Sequence, residues 1–382
     1  VWLLSKLQKL VVQVGEAFDH CRFHEAAKAI DIFIINELSQ TYVPMTRNII
    51  WDDSPESLDK RLAVYSVICY VLIQLNIMLH PLSPFITEYL YVTCFNRKKS
   101  ILLESWPKLD EKLVNSEVES AFDNIKEIVS LANAARNLAS LKRRWPIKEV
   151  IICGQNLRSL EKEGIPAVLR NQLNAGQYRL VEIGTASQLE KVANLLYTKM
   201  PISVEVSLVR RNIAPRVKAD INRVAEAFER VDKLELVHTL QKSEEYLLAY
   251  DNNNSKTIKL SPSDVEIAYK ASDGYSCSER DGLVVFISSA RDKDLIDKGL
   301  LRDLARQLQQ LRKERQYNPT DIVDAAYIAG LTEEEIARLS LMKDELTYLV
   351  RVKNVFLLED SDINVSYKIV EIDGREFKIS VE

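Results

Sequence analysis

Glycine is scarce: the 382 residues include 10, and no two lie fewer than eight positions apart. A dinucleotide fingerprint needs glycines two and three positions apart, and a Walker loop needs a pair five apart, so that backbone amides can close on phosphates. That spacing excludes both. Cysteine is sparse too. Cys21, Cys69, Cys94, Cys153 and Cys277 form no C-x-x-C pair, which removes the usual zinc and redox motifs. His20 and His24 stand at i and i+4 beside Cys21 with no further ligand pair nearby, so they read as an interior or surface pair and no metal is expected. Ser and Cys nucleophile motifs are missing, and no carboxylate sits in an acid–base motif. No basic-then-apolar leader follows Val1; free thiols fit a reducing cytoplasm, and the missing initiator Met suggests a fragment or a processed chain.

Net charge is equally uninformative. Lys+Arg 51 against Asp+Glu 55 gives −4, with the helical first 146 residues neutral at 17 of each sign. Bulk charge therefore excludes polyanion binding by the whole surface, and any nucleic-acid contact must rest on local patches. One long uncharged run, Leu62 to Leu79, approaches the length of a membrane span. Ser66, Gln74 and Asn76 within it and His80-Pro81 at its end favour a buried helix of a multi-helix core, with no membrane.

What is present reads as two kinds of structure. Leu3, Leu7, Leu10, Val11 and Val14 share a helical face, and Ala26, Ile30, Phe33, Ile34 and Leu38 continue the pattern over 23–46. Ser54-Pro55-Glu56 and Ser83-Pro84 each start a helix with proline in its first turn. Ser116-Glu117-Val118-Glu119 has the form of a capping box, opening a helix that runs to about Lys142 and stops before Pro146. Beyond it the period shortens. Strands are expected at 150–152, 180–183 and 202–209, with helices over 157–173 and 215–231. A small sheet is expected from 246–250, 257–260, 265–271 and 283–287, then helices over 295–315 and 333–350. A hairpin turns at Asp373-Gly374. The chain thus divides into a helical domain 1–146, an α/β junction 147–213 and a C-terminal α+β domain 214–382.

Three basic patches carry what chemistry there is. Arg136, Lys142, Arg143, Arg144 and Lys148 place five positive charges in 13 residues with no acid among them, and Trp145 lies within the run. Asn133, Arg136, Asn137, Ser140 and Arg143 form a polar stripe opposite Phe122 and Val129. Guanidinium groups beside an aromatic can hold phosphates and stack a base of single-stranded RNA. The alternative is a solvated face with Trp145 packed in a domain junction. Arg210, Arg211, Arg216 and Lys218 form a second patch, and Arg302, Arg306, Arg312, Lys313 and Arg315 a third. Taken alone, both read as solvated surface.

Several segments resemble one family in its own order. His80-Pro81-Leu82-Ser83-Pro84-Phe85-Ile86-Thr87-Glu88 resembles the HP-x-x-PF-x-x-E segment in the anticodon-binding domain of the class I aminoacyl-tRNA synthetases for isoleucine, valine and leucine. Asn36-Glu37-Leu38-Ser39, with Tyr42 and Arg47, resembles the same domain's N-x-LS-x-x-Y helix. Ala134-Ala135-Arg136 and Leu141 to Val150 are similar to a junction of isoleucyl-tRNA synthetases of the archaeal and eukaryal type. Gly299 to Leu304 with Gln309, Leu311, Arg312, Lys313 and Glu314 resembles their later helix. The resemblance implies an all-α anticodon-binding bundle followed by a mixed α/β domain: the C-terminal, tRNA-binding region of such a synthetase. HIGH-like and KMSKS-like signatures are missing, so ATP, magnesium and ligase chemistry would belong to the N-terminal part of the parent protein, and this chain carries no cofactor of its own. It further implies RNA contact through the first patch, with Arg47 and Arg97-Lys98-Lys99 on backbone phosphates, in a cytoplasmic monomer whose partner is isoleucine tRNA. The segment from Asn212 to Pro215 lacks a glycine that the family pattern carries. The corresponding region of a valyl enzyme and a helical protein-binding scaffold are the alternatives.

Overall fold

The computed structural model describes residues 1–52, 54–95, 99–184, 186–243, 245–251, 256–359 and 366–382. Two compact units emerge, 1–127 with 158–172, and 128–157 with 173–382. They divide the chain differently from the expected cuts at 146 and 213, because one helix passes from the first unit into the second and residues 158–172 return to the first.

The first unit holds helices and no strand among its described residues. Apolar side chains at steps of three and four put Leu3, Leu7, Leu10 and Val14 of α1 (Trp2–Asp19) in its core. There they meet Ala26 and Ile30 of α2 (Phe23–Ile32). A π-helical stretch, Phe33–Tyr42, carries the chain without a break into α3 (Val43–Ile50). Thr41 Oγ1 bonds the Asn36 carbonyl at 2.6 Å, five residues back, as the wider turn allows. After the turn Pro55–Ser57 comes α4 (Leu58–Leu79), then α5 (Pro84–Thr93) and α6 (Ser116–Leu138).

Two expectations change here. The long apolar helix α4 is buried along one side only: Val64, Val71, Leu75 and Met78 are inside, while Leu62, Tyr65 and Leu72 are exposed. A helix that is apolar all round has no polar side to turn outward. By length and composition it is the one helix among the described residues that suffices to cross a membrane. At α6 the cap is Asn115, whose Oδ1 accepts from the Val118 amide at 3.0 Å. Glu119 closes no box; it is buried and accepts from Ser5 and Lys9 of α1.

The second unit is mixed. Strand β1 (Ile147–Gly154) leads through the turn Leu157–Glu161 and α7 (Ile165–Leu173) to β2 (Ala175–Glu182), which pairs parallel to it. Helix α8 (Gln188–Tyr197), unmarked in the sequence reading, precedes β3 (Ile202–Leu208). The helix expected over 215–231 is two, α9 (Arg210–Val217) and α10 (Ile221–Glu229), broken at Lys218 with φ 47°. Helix α11 (Lys233–Ser243) follows. Strands β4 (Tyr246–Ala249), β5 (Thr257–Leu260), β6 (Val265–Ala271) and β8 (Leu283–Ser288) do not form the single small sheet expected, and β7 (Tyr275–Arg280) had no mark in the sequence. β4 pairs with β5, β6 with β3, and β8 joins β1 in the order β2-β1-β8-β7. Local alternation marks a strand but not its partner.

Helix α12 (Lys293–Glu314) packs with β9 (Val323–Ala329), α13 (Glu333–Ser340), α14 (Lys343–Val350), β10 (Val352–Leu358), β11 (Lys368–Ile372) and β12 (Arg375–Val381). The sheet order is β10-β9-β12-β11. The hairpin turns as expected: Ile372 pairs with Arg375 across Asp373 and Gly374, whose φ values of 50° and 77° suit a type I′ turn.

Candidate nucleic-acid interface

Helix α6 ends in a left-handed cap. The Leu141 amide reaches back to the Arg136 carbonyl at 2.8 Å and the Ser140 amide to that of Asn137 at 3.1 Å, with Ser140 at φ 54°. This cap throws the chain into the turn 142–145, which carries most of the first basic patch.

Arg136 is not on that surface. It is 2% exposed, and its guanidinium donates to four carbonyls: Trp145 at 2.8 Å, Leu173 at 2.9 Å, Lys142 and Asn174 at 3.3 Å each. Burial, with Arg143 and Arg302 nearby, lowers its pKa to about 10, so it stays charged at neutral pH. Trp145 is also buried, at 5% exposure. Its indole Nε1 donates to Asp303 Oδ2 at 2.9 Å, and Arg291 lies over its ring at 4.7 Å. On the Gly299 side, a Cβ would stand 2.5 Å from the indole, so only glycine admits the ring there. The expectation of Arg136 on a phosphate and Trp145 stacking a base is therefore corrected. Helical spacing put Arg136 on the face opposite Phe122, but Lys142, Trp145, Leu173 and Asn174 of its own unit close over it, and their backbone carbonyls occupy its donors.

Asp303, 2% exposed on α12, organises the turn. It accepts from Lys142 Nζ at 3.2 Å, from Arg144 Nε and from Trp145. Lys142 also pairs with Asp373 of the hairpin. Arg302, three residues beyond Gly299, donates to the Arg144 carbonyl at 3.2 Å and to Asn174 Oδ1 at 2.5 Å. Lys142 and Arg144 are thus half-buried ion-pair partners rather than free cations. Arg143 and Lys148 are exposed and make no ion pair among the described residues.

The remaining predicted residues lie elsewhere. Arg47 on α3 and Lys99 are exposed in the first unit, while Arg97 and Lys98 fall outside the described residues. In the second patch Arg216 pairs with Asp264 at 2.7 Å, and Arg210, Arg211 and Lys218 are exposed. The third patch splits. Arg312 is 2% exposed and holds carbonyls of Arg351 at 2.8 Å and Asp321 at 2.7 Å, and Arg315 bonds the Ser366 carbonyl at 3.1 Å, whereas Arg306 and Lys313 are exposed. Asp303, which sequence reasoning missed, stands far from the first patch in the chain, among the residues of the third. His20 and His24 are exposed, and no group of three metal-ligating side chains gathers among the described residues.

The HP-x-x-PF-x-x-E segment has a clear structural part. His80 Nδ1 is 2.8 Å from Thr87 Oγ1, Asn76 donates to the Thr87 carbonyl at 2.8 Å, and Glu88 holds the Ser100 hydroxyl at 3.0 Å and the Ile101 amide at 3.1 Å. These bonds fix α4 to α5 and α5 to Ser100 and Ile101. Phe85 takes no part in the core and is 92% exposed.

Residues 1–152 match the family described as the anticodon-binding domain of tRNA ligase. Over its whole length the chain is 27% identical to an isoleucine–tRNA ligase of Thermoplasma acidophilum, of which it covers 34%. Similar relatives are the isoleucine–tRNA ligases of Methanosarcina barkeri, 25% identical over all of this chain and 35% of that protein, and of Clostridium tetani, 25% over all of this chain and 34% of that protein. The chain spans about a third of the length of these curated relatives.

Proposed function

We propose that this chain, whose residues 1–152 belong to the anticodon-binding domain family of tRNA ligases, is the tRNA-binding portion of an isoleucine–tRNA ligase. It grips the anticodon stem and loop of isoleucine tRNA while the rest of the ligase attaches isoleucine at the expense of ATP, with magnesium bound there. The end-to-end similarity to ligases for isoleucine carries this reading and favours it over the valine enzyme. Against a pure protein scaffold stands the exposed Arg143, within a turn that buried bonds hold in place, with exposed Lys148 just beyond it, which suits an anionic backbone better than a neutral partner.

The exposed Arg47 and Lys99 of the first unit supply further phosphate contacts, and the Arg97-Lys98 pair is assigned with them from sequence alone. Anticodon bases are splayed and read at their edges by neighbouring polar groups, since Trp145 is not available to stack. Exposed Phe85, Ile86 and Tyr89 of α5 and Leu62 of α4 are apolar surface of the kind that a neighbouring part of the ligase covers. The protein works as a cytoplasmic monomer.

Footprinting tests the reading. Hydroxyl-radical cleavage of isoleucine tRNA in the presence of the chain should be suppressed at the anticodon stem and loop. Protection confined to the acceptor end, or none, would refute it.

A further inference from the structure

Helix α12 presents a stripe at steps of three and four: Gly299, Arg302, Asp303, Arg306. The turn 142–145 lies along this stripe. Trp145 sits on Gly299, the Arg144 carbonyl on Arg302, and Lys142, Arg144 and the indole on Asp303. Arg306 is the next residue along. It is exposed, forms no ion pair among the described residues, and lies near enough to help lower the pKa of Arg144.

Cations outnumber acids in this joint. Arg143 and Arg302 lie near the Arg136 guanidinium and Arg306 near that of Arg144, and Asp303 and Asp373 are the carboxylates that pair with the turn. Gathering like charges costs free energy unless an anion sits among them. The buried members are occupied with carbonyls and carboxylates. Arg143 and Arg306 keep free guanidinium forks, whose planar geometry matches phosphate.

We infer that Arg306 of α12 acts together with Arg143 of the turn to hold phosphates of one RNA backbone. The clamp is built from segments over 160 positions apart in sequence and set in place by Asp303. This rests on the reading of the chain as a tRNA binder and extends the binding surface to a helix that the sequence left as solvated surface. Because the contacts are to phosphate, they add affinity without choosing between anticodons.

The test is the salt dependence of affinity, measured with the full chain, for isoleucine tRNA and for the same tRNA with an exchanged anticodon. Arg306→Ala and Arg143→Ala should each reduce the log–log slope by about 0.7 to 0.9, and the double variant by about twice that. The loss should be the same for both tRNAs, and Arg306→Lys should restore the slope. Thermal unfolding of each variant should match the wild type, since both side chains are exposed. An unchanged slope for Arg306→Ala overturns the clamp while leaving the proposed function standing. A wild type whose binding to either tRNA ignores salt overturns both. An Arg306 effect seen with polyglutamate and not with tRNA assigns the site to an acidic protein and overturns the RNA assignment.

Discussion

The indole nitrogen of Trp145 donates to the buried carboxylate of Asp303 at 2.9 Å across 158 positions of chain. Lys142 and Arg144 converge on the same carboxylate, so one acid on α12 fixes the turn that follows α6. Removing it leaves Arg144 and the indole N–H without their acceptor and Lys142 with Asp373 alone. Asp303→Ala should therefore destabilise the second unit by about 3–5 kcal/mol, the range for breaking a buried pair. Asp303→Asn keeps an acceptor and should lose less. Urea unfolding followed by tryptophan fluorescence measures both.

Gly299 faces the same ring. A methyl group there meets the indole carbons at 2.5 Å, so Gly299→Ala must displace Trp145 or bend α12, although alanine is the better helix former. The expected cost is about 1–3 kcal/mol, as for overpacking elsewhere. It should appear as a lower Tm with an altered near-ultraviolet circular dichroism band.

Two neighbouring arginines should behave as opposites. Arg136→Ala strands four carbonyls inside the fold and should cost about 3 kcal/mol or more. Arg143→Ala, an exposed substitution, should leave stability within about 0.5 kcal/mol. Parallel denaturant titrations decide the point, and similar losses in the two variants would contradict the assignment of roles.

That contrast also measures how far the sequence could be read. Periodicity located α1, α4, α6 and α12, and Asp373-Gly374 located the last hairpin, because these signals lie within a few residues of one another. The stop before Pro146 was legible for the same reason. Burial of Arg136 was not: its partners include Leu173 and Asn174, and a helical wheel cannot know that a later segment returns to cover one face. Likewise β6 and β8 read correctly as strands, but their partners β3 and β1 are set by tertiary packing. Helices α8 and α11 and strands β9 and β10 escaped notice because short apolar runs carry little period.

Acid should loosen the C-terminal sheet through one carboxylate. Hydrogen bonds from Arg375 at 2.6 and 3.0 Å, joined by the Thr332 amide at 3.0 Å, hold Glu335 down to about 2, against an ordinary 4.5. A depressed folded-state pKa gives stability that is complete above the unfolded value and lost as pH falls through the folded one. Stability should thus decline between about pH 5 and pH 2 by at most about 3 kcal/mol, less what solvent screens at half-exposed Arg375. Glu335→Gln should flatten that limb in thermal melts taken across the range.

The central claim, that this chain reads isoleucine tRNA at its anticodon, is tested most directly by equilibrium binding at two salt concentrations to isoleucine tRNA and to a copy differing only in the three anticodon bases. Affinity that falls steeply with salt and drops further on anticodon exchange is the predicted result. Equal affinity for the two tRNAs would contradict it.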